Sequence, residues 1–413
     1  MLHLSSADRN MLSGARGDGV RFAMRMIVRL AEQSGAERLI DVCWAHVASA
    51  YLQGPPNLDF ARRIAAGNTT VAIPTTLTSC ALNLFKCEAG RGTRAASELI
   101  DIYKDMGCDP VMTCAPYHTR EEPGFGDNLA WCESSAVVYA NSVLGARSNR
   151  YVEFVDMCAA VTGRVPDCGL HRTAERRATV LFRIANMPDG WLEEDWFFHV
   201  LGILIGLESG SALPAIAGLR RTTGVEQLRA LGSAAASSGS VSIFHAIGIT
   251  PEANSIKEAF HGQPPSAERL IDADEIRRTA AMLSDDSDKP LTAICVGAPH
   301  FSFQEFQALD SLLGGRKVAK NLELYASTSA AVIAELESAN MLERLMKADV
   351  QFVVGRCTYY HPAMPGTNGR VMTNSAKWAY YAPSGLGASV LFGSLNDCVE
   401  SACAGRAIKT GAV

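Results

Sequence analysis

"VGAPHFSFQEF", residues 296–306, packs a strand end, a tight turn and a helix start into eleven residues. The apolar run Leu291–Val296 leads into it and reads as a buried strand. Gly297–Pro299 supplies the turn, and Ser302 stands where a helix N-cap is expected. The same rhythm recurs on both sides. Leu39–Val42, Val71–Ile73 and Val111–Thr113 read as strands, with helices near 58–66 and 93–107 between them. Val241–Phe244, Leu322–Leu324, Gln351–Val354 and Ser389–Phe392 read as further strands with helices between most of them. Strands alternating with helices imply an α/β fold with sheets at least partly parallel. The opening is helical, with Phe22, Met26, Ile27 and Leu30 on one face and Gly35 as its C-terminal cap. Subdomain breaks are expected near 209–240 and 261–290, where "HGQPPSAERL" is read as a Pro-rich entry into a helix starting near Ser266.

Composition narrows the class. The 413 residues suffice for two or three domains with large cores, and a net charge of −5 carries no basic excess for nucleic acid. "WFFHVLGILIGL" (196–207) falls short of the ~20 apolar residues a membrane span needs, and it contains His199. The N-terminus has no basic segment followed by an apolar one, so the expectation is a cytoplasmic protein without a secretory signal. The 12 cysteines form no C-x-x-C pair, so a metal or cluster site would have to be assembled from cysteines far apart in the chain. "GARGDG" (14–19) sits in a helical run, not after a strand, so its glycines fit close packing or a helix break better than dinucleotide binding.

Three stretches carry polar residues where a strand gives way to a loop. In "TCAPYHTREEPGFGDNLAWCESSAV" (113–137), Cys114 stands at a strand end and a polar-striped helix is expected to begin near Asn128. In that helix Ser134 lies over Asn141, and Ser135 over Ser142, seven residues apart. Glu133 there is either paired, for instance with Arg150, or functional. His300 sits in the turn of the opening stretch, as a base, a substrate contact or an ordinary hydrogen-bonded histidine. In "VVGRCTYYHPAMPGTNGRVMTNSAKWAYYAPSGLG" (353–387), Cys357 follows a strand, and Thr373 or Asn374 is expected to cap the helix of Lys377. That helix start suits a carboxylate or phosphate, though an ordinary cap with a surface lysine would look the same. Three such units together suggest a pocket.

These residues resemble one family in order along nearly the whole chain. "MLSGARGDGVRFAMRMIVRLAEQSGAERLIDVCWAHV", "VAIPTTL", "TCAPY", "AWCESSAVVYANSVLGARSNR", "TGRVPDCGLH", "GAPHFSFQEF" and "MTNSAKWAYYAPSGLG" are similar to the large subunit of aconitase X. The resemblance implies an aconitase-like core of several α/β/α subdomains with mixed or parallel sheets. It implies a dehydratase that uses an iron–sulfur cluster, with [2Fe-2S] as one candidate type. The expected reaction is dehydration of cis-3-hydroxy-L-proline to Δ1-pyrroline-2-carboxylate, with mevalonate 5-phosphate as the alternative substrate. A separate small swivelling-domain subunit is the implied partner, the substrate is a small molecule, and neither nucleic acid nor membrane is expected.

Carried over residue by residue, the resemblance makes Cys114 and Cys357 cluster ligands. The implied catalytic set is Glu133, Ser134, Ser135, His300 and Lys377. Substrate contacts are assigned to His46, Thr75, Thr76, Tyr117, Asn141, Ser142, Asn149, Arg150, Asn374 and Ser375. A third thiolate is expected at the position of Ala298, with Cys132 and Cys398 as conceivable substitutes, since Cys295 faces the other side of its strand. Because of this departure, and of "GRC" where many members carry Asp-Thr-Cys, a cluster-less, non-catalytic homologue is kept as the rival reading.

Overall fold

The structure, a computed structural model, describes residues 2–48, 54–80, 82–85, 91–119, 122–360 and 363–410. The chain divides into two units: Met1–Leu82 with Glu88–Arg177, and Asn83–Cys87 with Ala178–Val413.

Unit 1 opens with α1 (Ser6–Ser13), held by a reciprocal Ser5–Asp8 capping box and stopped by Gly14 at φ +92°. Helix α2 (Asp18–Gln33) buries Ala23, Met24, Ile27 and Ala31, one stripe of a 3.6-residue period. Met26 faces solvent, which rotates the buried stripe away from the face expected from sequence. "GARGDG" is a helix break and a close approach: a Cβ on Gly19 would stand 2.1 Å from Thr69 Oγ1. Strand β1 (Leu39–Asp41) pairs antiparallel with a later strand, and β2 (Trp44–Val47) follows at once. Helix α3 (Pro55–Ile64), β3 (Thr75–Leu77), α4 (Arg91–Asp105), β4 (Leu129–Trp131), α5 (Ser134–Tyr139), α6 (Val155–Thr162) and β5 (Arg164–Pro166) complete the unit. Its main sheet is parallel in the order β3–β2–β4, and β1 pairs with β5.

Three local expectations in unit 1 shift. The strand read at Val71–Ile73 forms at Thr75–Leu77. Val111–Thr113 is not a strand; Asp109 makes a single bridge to Thr76 instead. The polar-striped helix starts at Ser134, not near Asn128, because β4 takes 129–131 and Glu133 caps the helix. After Tyr139 it widens into a π turn (Ala140–Leu144) that ends at Gly145, φ +69°. That widening breaks the seven-residue alignment of polar positions.

Unit 2 contains two parallel sheets. Strands β6 (Val180–Ile184), β7 (Pro214–Ala217), β8 (His245–Ala246) and β9 (Ala267–Ile271) alternate with α7 (Asp195–Ser209), α8 (Val225–Ser238) and α9 (Ile256–Ala259). Their order is β8–β7–β6–β9. Residues 267–271 are a strand and not the expected helix, and the helix α10 (Ala273–Ala281) waits for the Asp272–Glu275 capping box. Likewise the strand expected at Val241–Phe244 forms only at His245–Ala246. "WFFHVLGILIGL" lies in the buried helix α7, and no described helix is long and apolar enough to cross a membrane.

The second sheet positions the chemistry. Its elements are β10 (Leu291–Val296), α11 (Phe303–Leu313), β11 (Glu323–Thr328), α12 (Ala330–Ser338), α13 (Leu342–Lys347), β12 (Val350–Val354), β13 (Arg370–Thr373), α14 (Ala376–Leu386), β14 (Ser389–Phe392) and α15 (Leu395–Ala404). All five strands are parallel in the order β12–β11–β10–β13–β14. The chain therefore leaves β10 toward one edge and returns to its other side at β13. In open parallel sheets that reversal opens a crevice at the carboxyl ends of the strands. The loops carrying Gly297–Ser302 and Asn374–Lys377 begin at those two ends. The α/β expectation therefore holds throughout.

Candidate active site

Each unit presents one candidate region. In unit 1 it lies at the carboxyl ends of β2, β3 and β4. Register places His46 beside Thr76 and Trp131, so the three share one face of the sheet. His46 is fully buried; its Nδ1 lies 2.8 Å from Thr76 Oγ1, which also accepts a 3.0 Å bond from Trp44 Nε1. Its Nε2 has no hydrogen-bond partner among the described residues. Burial pushes the imidazole down to about 4, against the opposing pull of Glu133, so the ring is neutral near pH 7.

Glu133 follows β4 and caps α5. Its Oε2 accepts a 2.8 Å bond from Ala136 N and a 2.7 Å bond from Ser135 Oγ. The helix N-terminus favours the ionised carboxylate, and the carboxylate in turn orients the serine hydroxyl. Ser134 is half-buried, with its Oγ 3.5 Å from Glu133 Oε1. A carboxylate locked to a hydroxyl beside a neutral imidazole is an arrangement able to accept and return a proton.

The other residues singled out in unit 1 have identifiable tasks. Asn141 holds both the N–H and the C=O of Ser148, at 2.9 and 2.8 Å, and its Oδ1 also accepts from Arg176 Nη1 at 3.1 Å. Asn149 accepts from Leu170 N at 2.8 Å and donates to Cys168 O at 3.0 Å. Thr75 Oγ1 donates to Ile73 O at 2.9 Å. Tyr117 is buried and stacked on Tyr139, with ring centroids 3.9 Å apart. Ser142 is buried in the π turn and Arg150 is exposed. Cys114 is buried beside Thr113, whose backbone lies against the His46 imidazole and whose Oγ1 accepts from Ala115 N at 3.1 Å. Arg176 carried no signal in the sequence beyond being one of several arginines, yet it is wholly buried and ties Asn141 to Leu170.

In unit 2 the turn after β10 is held from several sides. Gly297 has φ +87°, and a Cβ there would stand 2.2 Å from Ser327 O, so only glycine fits. Ser302 and Glu305 form a capping box for α11. Ser375 Oγ donates to Ala298 O, Phe301 N donates to Ser327 O at 2.9 Å, and Thr328 Oγ1 donates to Phe301 O at 2.8 Å. Arg229, buried on α8, donates to His300 O at 3.0 Å and pairs with Glu226 and Glu305. Its signal in the sequence was an arginine inside the small-residue run "QLRALGSAAASS". These bonds fix the backbone that carries His300.

His300 is buried, and its Nε2 lies 3.1 Å from Arg356 O. Cys357, also buried, follows Arg356 in the loop after β12. The donor atoms of His300 and Cys357 lie within 4.8 Å of each other. A thiol and an imidazole at this separation fit zinc, copper or iron centres and do not fit magnesium or calcium. Cys295 is different: burial on β10 pushes its thiol up to about 12. Cys398, one of the conceivable substitute ligands, lies inside the hydrophobic core of this unit, and Cys132 lies in unit 1 with its thiol also raised by burial.

At the end of β13, Ser375 caps α14 by accepting from Trp378 N at 3.1 Å, in place of the expected Thr373 or Asn374. Thr373 ends the strand and its Oγ1 accepts from Ser375 N. Asn374 Oδ1 is buried with no hydrogen-bond partner among the described residues. Lys377 is buried in the first turn of α14, so it is not a surface lysine. A helix N-terminus, a buried ammonium and an amide suit an anionic substrate group.

Comparison with known proteins matches the chain to one family. The Aconitase X first domain matches residues 1–174, the second domain 178–281 and the third domain 291–404. The chain is 37% identical over 411 residues to a cis-3-hydroxy-L-proline dehydratase of Pseudomonas aeruginosa, covering 98% of this chain and 70% of that one. It is 29% identical to a phosphomevalonate dehydratase large subunit of Thermococcus kodakarensis, covering 97% and 100%. The crystal structure of the holo-form of Thermococcus kodakaraensis aconitase X superposes with a TM-score of 0.87 at 28% identity, over 97% of this chain and 100% of that one. The chain belongs to the aconitase X family of dehydratases.

Proposed function

We propose that this dehydratase removes water from cis-3-hydroxy-L-proline with the help of an iron–sulfur cluster. The buried thiol–imidazole pair of Cys357 and His300, at the strand ends where a parallel sheet opens, carries the cluster reading. The choice of substrate follows from 37% identity to the Pseudomonas aeruginosa hydroxyproline dehydratase, against 29% to the Thermococcus kodakarensis phosphomevalonate enzyme. Cys114 and Cys357 are the thiolates assigned to the cluster. When bound, such a cluster supplies an iron with an open position that polarises the C–O bond of a hydroxyl.

The chain's own residues handle the proton and the substrate. Elimination takes the C2 proton and the C3 hydroxyl, and the resulting enamine tautomerises to Δ1-pyrroline-2-carboxylate. Glu133 and Ser135 act as one unit: the serine hydroxyl accepts the proton as the carboxylate draws its own. Ser134 hydrogen-bonds the same carboxylate. His46, neutral and anchored by Thr76, contacts the substrate through Nε2. Lys377, Asn374 and Ser375 hold the carboxylate. Thr75, Tyr117, Asn141, Ser142, Asn149 and Arg150 shape the surrounding wall, Asn141 and Asn149 by fixing backbone. A separate small swivelling-domain subunit is the proposed partner, as the name of the Thermococcus kodakarensis large subunit implies for that protein.

Mevalonate 5-phosphate is the second reading, favoured by the two buried cations Arg356 and Lys377, which follow β12 and β13. Co-expression with a candidate small subunit, anaerobic reconstitution with iron and sulfide, and assay of both compounds decides between them. Turnover of cis-3-hydroxy-L-proline alone is expected. Turnover of neither by a cluster-loaded complex refutes the assignment, and a protein that stays colourless after reconstitution is the cluster-less homologue.

A further inference from the structure

We infer that Arg229 is a positioning residue of the active site, through which the second domain fixes the direction of the His300 side chain; this rests on His300 belonging to the site as read above. None of the residues assigned there to substrate, proton or cluster lies in the second domain, residues 178–281. Yet Arg229, on α8 of that domain, is almost wholly buried, and its guanidinium divides its donors among three acceptors. Nε donates to Glu226 Oε2 at 2.6 Å, Nη2 to Glu305 Oε2, and Nη1 to the His300 carbonyl at 3.0 Å. Glu305 and His300 both belong to the third domain.

The His300 carbonyl and the Phe301 N–H are the two ends of one planar peptide group, pointing in opposite directions. Phe301 N donates to Ser327 O at 2.9 Å, so β11 holds one end and Arg229 the other. Clamped at both ends, that plane resists turning, and the backbone torsion that sets the His300 Cα–Cβ direction is fixed with it. The Glu305 contact is a second grip on the same segment, since Glu305 closes the capping box of α11 by accepting from Ser302 N at 2.9 Å. Arg229 itself stands on a rigid base. A Cβ on Gly202 would lie 2.3 Å from Leu231 O and one on Gly206 2.0 Å from Ser238 Oγ, so α7 and α8 are in close contact. A planar fork bridges a carbonyl and a carboxylate at once, a geometry that the single ammonium of lysine does not reproduce. An arginine that only neutralised buried carboxylates would be replaceable by lysine; a positioning one is not.

The test is ¹H–¹⁵N spectroscopy of the imidazoles in the full chain grown on ¹⁵N-histidine, with the His300 signals identified by their loss in His300→Gln. Arg229→Lys keeps the charge and loses the fork. The His300 signals should shift as the bond from Nε2 to Arg356 O is disturbed. The kcat of the reconstituted complex on cis-3-hydroxy-L-proline should fall about 10²-fold at unchanged KM, the scale of a small misplacement at a reacting centre. Glu305→Gln keeps the cap and weakens the hold on Nη2, so its His300 signals should move the same way by less; it also decides the matter if Arg229→Lys does not fold. His300 signals left at their wild-type positions in a folded variant, or a wild-type kcat in Arg229→Lys, overturn this inference. The spectra need neither cluster nor substrate, so a complex that turns over neither compound refutes the reading above and leaves the imidazole shifts to decide this one.

Discussion

The strand ends of unit 1 and those of unit 2 follow one architectural rule with different side chains. In unit 1, β2, β3 and β4 deliver His46, Thr76 and Glu133, and these are tied to hydroxyls, to each other's surroundings and to a helix N-terminus. In unit 2, β10 and β12 deliver His300 and Cys357, and the imidazole is tied to backbone. An imidazole bonded to a hydroxyl can exchange a proton with it, whereas one bonded to a backbone carbonyl must donate there, which fixes its tautomer. In the proposed reaction the first region handles the proton and the substrate, and the second places an imidazole and a thiol within 4.8 Å of each other, close enough to hold a metal.

The largest effects should come from the thiolates. Cys114→Ala and Cys357→Ala should each reduce iron and sulfide to background after reconstitution, with an unchanged circular dichroism spectrum. Cys295→Ala should leave the metal content intact, because that thiol is a buried core group held protonated. Equal metal loss in all three variants would erase the distinction drawn among the cysteines.

Changes to the carboxylate and hydroxyl groups of Glu133 and Ser135 should instead spare the metal. Ser135→Ala should lower kcat by about 10²-fold, within the range for a positioned acid–base group, at unchanged iron content. Loss of iron in this variant would mean that Ser135 supports the metal as well as the proton transfer.

Two buried histidines outside both regions add to His46 in setting the acid limit. His171 is pushed down to about 4 and His199 to about 3, in both cases by burial. Unfolding lets each ring take up a proton at the ordinary value near 6.5, so the unfolded chain binds more protons as pH falls below that value. Stability should therefore be complete above about pH 6.5 and decline toward pH 4, by about 2 kcal/mol per histidine at pH 5. Urea unfolding at pH 7 and pH 5 measures this, and His199→Leu should reduce the pH dependence. The smallest effect is that of Ser302→Ala, which removes the N-cap of α11 and should cost about 1 kcal/mol without changing the residual pH slope.

Much of this was readable in the sequence, because strand–turn–helix units announce themselves locally. "VGAPHFSFQEF" gave its strand end, turn and cap correctly, since Gly297, Pro299 and Ser302 each have a local conformational reason to be there. Short apolar runs were less reliable: Val71–Ile73 and Val111–Thr113 have strand composition, but ladder partners decide, and β2 pairs with Thr75–Leu77. The order β12–β11–β10–β13–β14 is a long-range property that no local pattern carries. Hence the closeness of His300 and Cys357, 57 residues apart, was not visible, nor was the grip of Arg229 on the His300 carbonyl. Lys377 misled for the opposite reason: lysine is ordinarily exposed, and only tertiary packing buries it.

The most direct test of the division between proton handling and metal binding is the kcat of Glu133→Gln, measured on cis-3-hydroxy-L-proline together with iron and sulfide content. The amide keeps the shape but cannot take the proton that Ser135 passes to it. The account predicts a kcat lower by about 10²–10⁴-fold with the metal complement of the wild type. Turnover undiminished in a fully loaded Glu133→Gln enzyme would contradict it.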